Sequence, residues 1–547
     1  MSRFLALSLL LALPACSDGI PDYSTRNDLL PTVALDDQVA FVEKNSHTAF
    51  ILNPADPALT PRQVSVGKAP IAAVKRNGSN QLLVLSRGER GSAKAPAVPA
   101  QLQTVSADPT VPPQVYPLAS RFDGLAQSAD GATAILYHTS STQNSGDTAL
   151  FDPNELDIVD LTRTAATDVP VNPTSKSIRN PGGVPTGIVF SPPFTFQRGT
   201  RTLAVVLAPN YVTIFDVGHL SRTEITVPLS PDGSHKFIPS QVLFDAANPN
   251  IYVRADGSND IFQITLTDLG AQAEAEPSND FRVSLSMLAA GSGPSDMALY
   301  GSGTATRLAV TAPGSKTLVI LDPSTSRATS VPTSIPANRI VLFNGASPGA
   351  PTKAEDRALL VDVGGGSTSA LFADLKNIET SGALSLAECP LSGAATSVVP
   401  LVSQGIAVLM YGRSSGNTAL AVVDLAARTP APVGSDWALA DAFIEKRAPG
   451  RLWSIDSQYW LGYLNLVASA GHARLSTGEV LLDQPIMNVL PLDKASPADG
   501  KRYVVIEQSD PDKVGNVTVL DADAPDRTGA RTAYGFLLTN YLTRGQP

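Results

Sequence analysis

Residues 291–331 read GSGPSDMALYGSGTATRLAVTAPGSKTLVILDPSTSRATSV. Within them, Met297-Ala298-Leu299, Arg307 to Thr311, Thr317 to Leu321 and Arg327 to Val331 are short runs separated by Gly, Pro, Ser and Asp. Runs so short and so bounded cannot be ordinary helices, and their β-branched content is that of strands. The stretch therefore predicts a four-stranded antiparallel meander, strands a to d, with the turn Gly291 to Pro294 leading into strand a.

The third strand of this unit ends in Ile320-Leu321-Asp322, and that ending recurs along the chain. Ile158-Val159-Asp160-Leu161, Ile214-Phe215-Asp216-Val217, Phe372-Ala373-Asp374-Leu375, Val422-Val423-Asp424-Leu425, Tyr463-Leu464-Asn465-Leu466 and Val519-Leu520-Asp521 are its copies. From Asp160 the successive intervals are 56, 106, 52, 50, 41 and 56 residues, and a degenerate copy at Ile261 to Leu266 divides the longest. Asn53, after Phe50-Ile51-Leu52, stands 107 residues before Asp160, again two units. A period of about fifty residues with four strands in each unit is that of β-propeller blades. The predicted fold is all-β, a propeller of seven to ten blades. About ten b–c pairs can be found, which leaves open a large ring, two arrays or inserted hairpins. The 44 Pro and 41 Gly are spread along the chain as turn punctuation. Tyr534 to Leu538 is expected to close the ring by supplying strand a to a first unit that begins at strand b.

The Gly-x-x-Pro turn recurs at Gly67 to Pro70 and Gly182 to Pro185. With Val66-Gly67-Lys68-Ala69-Pro70-Ile71-Ala72 and the paired strands ending in Asp-Leu, the region from about 33 to 538 resembles the YVTN-type, lactonase-like propeller repeats of bacterial envelope proteins. The resemblance implies a ring of blades with a binding face and does not fix one chemistry.

The N-terminus is different in kind. Arg3 precedes the mostly apolar Phe4 to Leu13, the arrangement of an export signal. Ten residues are too few to cross a bilayer, which takes about twenty helical residues. Leu13-Pro14-Ala15-Cys16 resembles the lipobox of bacterial lipoproteins, with Leu13 and Ala15 fitting the pattern and Pro14 departing from it. The resemblance implies removal of residues 1–15 and lipid attachment at Cys16. Ser17 stands where Asp would resemble an inner-membrane retention signal, so the expected location is the outer membrane, facing the periplasm or the cell surface. Residues 16–30 are expected to be a flexible tether and 31–547 the propeller. Two or three acyl chains, at about 0.8 kcal/mol per buried methylene, hold a soluble body firmly.

Removal of the leader takes Arg3 with it and changes the net charge from −10 to −11. A mildly acidic chain without basic runs argues against nucleic acid or anionic headgroups as the main partner. With Cys16 acylated, Cys389 is the remaining thiol, so no internal disulfide is available, and it is expected to be a small, semi-buried residue.

Several motifs reduce to turns. Val361 to Thr368 has the Gly-rich character of a phosphate-binding loop, yet it falls in a b–c hairpin. Gly412 to Gly416 and Gly345 to Gly349 match a nucleophile-elbow pattern but are followed by no helix. His47, His138, His219, His235 and His472 show no metal-binding spacing, and Asp521, Asp523 and Asp526 lack the Gly and Glu of a calcium loop. The strand-c Asp residues are expected to bind backbone amides of the following turn. No cofactor and no metal ligand are assigned.

In such a ring the b–c and d–a connections share one rim. Ser86 to Gln101 and His138 to Glu155 are long b–c connections in consecutive units, whereas Pro209-Asn210 suffices in the next. Long loops on a rigid scaffold mark a candidate binding surface, and Arg87, Glu89, Arg90 and His138 offer mixed-charge contacts there. The expected function is protein binding or scaffolding in the envelope, recognition and not turnover. The alternative is a lactonase-like hydrolase with a metal site in the central channel.

Overall fold

A computed structural model of the protein describes residues 28–91, 96–139, 152–163, 172–230, 233–301, 305–344, 356–381, 386–411, 418–434, 441–445, 451–455, 459–469, 472–509 and 515–537. They form ten four-stranded antiparallel sheets, each built from consecutive strands in the order a-b-c-d. The protein is a ten-bladed β-propeller. Residues 291–331 provide blade 6, with strands Asp296–Tyr300, Arg307–Ala312, Thr317–Asp322 and Arg327–Pro332, each within a residue or two of its expected bounds.

Strands b and c sit in the middle of each blade and are covered on both sides, so they are mostly apolar and buried along their length. Strand b of blade 4, Leu203–Ala208, is buried at every residue. Strand d lies outermost and is polar: Arg327–Pro332 of blade 6 buries only Val331. Ten hydrophobic clusters fill the seams. One joins blades 1 and 2 through Val42, Ile51, Leu82 and Val84, and each later pair has its own, to Trp453, Leu461, Val504 and Ile506 between blades 9 and 10. The tenth joins blade 10 back to blade 1. The blades therefore form one closed series and not two arrays.

Ring closure differs from the sequence expectation. Blade 1 has its own strand a, Val33–Ala34, paired with strand b, Val39–Glu43. The chain is already in place from Asp28, with Leu29 bridged to Glu43 and the Leu30 amide donating to the Val42 carbonyl at 2.9 Å. Strand d of blade 10 is only Arg531–Ala533, and the turn after it does not enter blade 1. Phe536 and Leu537 instead pack into the seam by their side chains. A two-residue strand escaped notice because it carries too little pattern.

The strand-c carboxylates do what turn formers do. The side chains of Asn53, Asp160, Asp216, Asp322, Asp424 and Asp521 each accept a hydrogen bond from the amide two residues on, at 2.8–3.0 Å. Asp374 accepts instead from the Asn377 amide, three residues on, at 3.1 Å, and Asn465 differs again. It lies inside the long strand Trp460–Ser469 and accepts from Arg451 Nε at 2.7 Å. Cys389 is buried in strand d of blade 7, and burial pushes its thiol up to about 11. The glycine-rich Val361 to Thr368 is a hairpin closed by Asp362, whose carboxylate accepts from the Ser367 amide and fills the space a Cβ on Gly365 would need.

Candidate functional site

The rim of blades 2 and 3 is built by a small number of charged side chains. Strand b of blade 2, Gln81–Ser86, runs out into the long connection, whose stem is held by the Arg87 amide on the Ala69 carbonyl at 3.0 Å and the Gly88 amide on Lys68 at 2.9 Å. Glu89 and Val98 then exchange backbone hydrogen bonds at 3.0 and 2.9 Å, so the loop rises as a narrow ladder. Gly88 makes this possible: at φ 69° a Cβ there would stand 2.2 Å from the Val98 carbonyl oxygen.

Side chains from the next blade lock the stem. Arg121 donates from Nε to the Arg87 carbonyl at 2.9 Å and from Nη2 to Gly88 at 3.0 Å. Arg87 Nη2 donates to Asp123 Oδ2 at 3.1 Å, and Asp123 also accepts from the Thr139 amide at 2.7 Å and its hydroxyl at 2.8 Å. Asp123, 6% exposed, thus ties the roots of both long loops to one carboxylate. The roots of the two connections are neighbours, as their place in consecutive units requires.

The four residues singled out in the sequence divide into two kinds. Glu89 and Arg90 are exposed at the rim, with Lys68 Nζ 3.3 Å from Glu89. Arg87 is half-buried in its pair with Asp123. His138 is not a surface contact: it is 2% exposed and lies on the Phe122 ring at 4.7 Å between centroids. Burial holds its pKa below the ordinary histidine value, against the opposing pull of Asp123 and Asp152. It packs the root of the second loop. Arg121, which sequence reading missed, is pulled below the ordinary guanidinium value by burial and by Arg90 and Arg87. Only its pairing across the blades reveals it. Cys16, the two elbow-like motifs at 345–349 and 412–416, and residues 140–151 of the second loop lie outside the described residues.

A second feature lies on the opposite, a–b and c–d, face. A cleft of about 1000 Å³ opens between blades 3 and 4, with Asp130, Asp160, Phe190, Thr202 and His219 in its walls. At one edge an inserted hairpin, Phe194–Phe196 paired with Gly199–Arg201, separates strands a and b of blade 4. Arg201 lies 3.3 Å from Asp216 and 2.7 Å from Asp280, Arg222 is 2.8 Å from Asp280, and His219 Nδ1 is 2.9 Å from Asp216. Asp216 resembles the orienting acid of a catalytic dyad, but its charge is shared with Arg201 and the Gly218 amide, so the network fastens the hairpin to blade 5. Its sequence signal was the gap from Phe190 to Leu203, too long for an a–b turn. Among the described residues no group of three or more His, Cys, Asp or Glu side chains is arranged to hold a metal ion.

No family model and no curated protein matches the sequence. Among solved structures the likeness is distant. The chain is similar to dihydro-heme d1 dehydrogenase NirN, at 10% identity over 86% of this chain and 76% of that one with a TM-score of 0.40. It is also similar to apo AztD from Citrobacter koseri, at 11% identity over 68% and 87% with a TM-score of 0.32, and to Kuenenia stuttgartiensis hydrazine synthase, at 12% identity over 52% and 77% with a TM-score of 0.29.

Proposed function

We propose that this chain is a membrane-anchored propeller acting as a protein-binding or scaffolding module of the bacterial cell envelope, attached through lipid on Cys16 and engaging its partner through the b–c rim of blades 2 and 3. The observation that carries the recognition surface is Asp123, which binds Arg87 beneath one long loop and Thr139 beneath the other. A buried carboxylate that fixes two loop roots pre-organises what lies above them and lowers the ordering cost of binding. The charge there is mixed: Lys68, Arg87, Arg90 and Arg121 stand with Glu89, Asp123, Asp152 and Glu155. Such a patch suits a partner surface whose charges alternate to match it.

The test is capture of partners by the tagged full-length protein from detergent-solubilised membranes. Wild type is expected to retain a stoichiometric protein. Arg90→Glu, and separately replacement of residues 91–96 by Asn-Gly above the intact Glu89–Val98 pair, should each weaken capture by about fivefold to tenfold. Unchanged capture, or turnover of lactones or esters by the purified protein at an enzyme-like rate, overturns the recognition reading. For the anchor, Cys16→Ser should yield a soluble protein lacking the acyl mass that wild type carries at its N-terminus. An unacylated wild type refutes it.

A further inference from the structure

We infer that the b–c and d–a rim is the face the propeller turns toward the bilayer, with the exposed apolar side chains of blades 9 and 10 resting in the lipid headgroup region. This rests on the lipid-anchor reading above and adds an orientation to it. Strand a of every blade starts on this rim, and blade 1 is no exception: Leu29 is bridged to Glu43 at the end of strand b, and Asp28 binds Lys44 through its carbonyl at 2.9 Å and its carboxylate at 2.7 Å. The chain therefore enters the ring at this rim. From Asp28 back to Cys16 is a step of twelve residues. Fully extended it reaches about 40 Å, and as a flexible coil about 20 Å. A lipid on Cys16 thus holds this rim, and not the opposite face, close to the membrane.

The distribution of exposed apolar side chains is equally one-sided. Among the described residues eight large hydrophobic side chains are exposed. Six stand on this rim: Ile238 opens strand a of blade 5, Met287 is near the end of its strand d, Tyr459 and Trp460 lead into strand c of blade 9, Met487 is at the start of strand a of blade 10, and Tyr534 follows its strand d. Val111 and Val115 are on the c–d side of blade 2. Tyr534, 63% exposed, reaches Asp483 of the 9–10 connection at 3.4 Å, and the adjacent Leu482 amide donates to the Tyr459 carbonyl at 2.9 Å, so the aromatic groups gather at the seam of blades 9 and 10, one blade from the chain entry. Tyr and Trp have an apolar body and a polar tip and suit a bilayer interface. A protein reaching the rim of blades 2 and 3 is then one set in, or lying on, the same membrane.

The test compares lipid contact at the two faces. Environment-sensitive dyes are placed one at a time on Met487→Cys or Tyr534→Cys at the rim and on Thr162→Cys or Arg327→Cys on the opposite face, in full-length protein on phosphatidylcholine vesicles carrying headgroup-depth spin labels. Each is measured in two forms, the native lipoprotein and a Cys16→Ser protein held by an N-terminal His tag on nickel-chelating lipid. The rim dyes should be quenched roughly threefold or more above the opposite-face dyes in both forms. Combining Tyr459→Ser, Trp460→Ser and Tyr534→Ser should roughly halve the difference read at Met487→Cys, the anchor alone keeping the remainder. Equal quenching at both faces, or protection of the rim dyes only when membrane proteins are added, overturns the inference. Intact mass reads the anchor separately, so an unacylated wild type with one-sided quenching in the tagged form counts against the anchor alone.

Discussion

Asp280→Ala is expected to destabilise the propeller by about 3–5 kcal/mol, the cost of leaving buried cations without their counterion. Asp280 is 1% exposed and is bound by Arg201 at 2.7 Å and Arg222 at 2.8 Å, themselves only 10% and 8% exposed. Burial alone would raise the Asp280 pKa, but the hydrogen bonds from Arg222 and Arg201 outweigh it and hold the carboxyl below the usual range. The pH dependence follows. A carboxyl that binds its proton more weakly when folded contributes fully above the unfolded value of about 4 and loses that contribution as pH falls through the lower folded value. Asp280→Asn should therefore flatten the acid limb of the stability profile as well as lower the plateau. Denaturant midpoints measure both. Replacing the three charges together, Arg201→Met, Arg222→Met and Asp280→Leu, should recover much of the loss, because the ions are removed with their desolvation cost. A loss within about 0.5 kcal/mol for Asp280→Ala would place the network among surface pairs.

That network shows where sequence legibility stops. Strands b and c were readable because both of their faces are buried, so Leu203–Ala208 is an unbroken apolar run and Thr317–Asp322 one that ends at a turn-forming acid. The Asp that ends strand c binds an amide two residues away, a local interaction that spacing alone reveals. Arg201 meets Asp280 across 79 residues, and Arg121 meets Arg87 across 34. No local pattern encodes such partners. For the candidate site, ring topology set the roots of the two long connections side by side, while the division of labour between exposed Arg90 and buried His138 depended on packing that their sequence positions do not express. The two-residue strand Val33–Ala34 was missed for the opposite reason, being local but too short to show a period.

Its discovery changes how the ring must be held shut. Nine seams are bridged by the chain itself; the seam between blades 10 and 1 has no strand exchange and is closed by side chains and a backbone hydrogen bond from the Lys494 amide to the Asp36 carbonyl at 2.8 Å. Phe536 packs on Phe41 with ring centroids 5.1 Å apart, both fully buried, and the Leu537 amide donates to the Gly515 carbonyl at 2.9 Å. Lys494 pairs with Asp36 at 2.6 Å, and Arg531 donates to the Asp56 carbonyl at 2.9 Å. Phe536→Ala removes the largest of these contacts and should cost about 3–5 kcal/mol. Where it is lost also matters. In a repeat structure stability is shared between neighbours, and a weakened closing seam frees two blades that the chain does not rejoin. Amide exchange should therefore rise first in Val39–Leu52 of blade 1 and Tyr503–Asp521 of blade 10. Phe262→Ala, in the chain-bridged seam of blades 4 and 5, should lower stability by a similar amount without that localisation, since Phe262 is equally buried. If both variants give the same exchange pattern, the ring opens as one unit and the closing seam is no weaker than the rest.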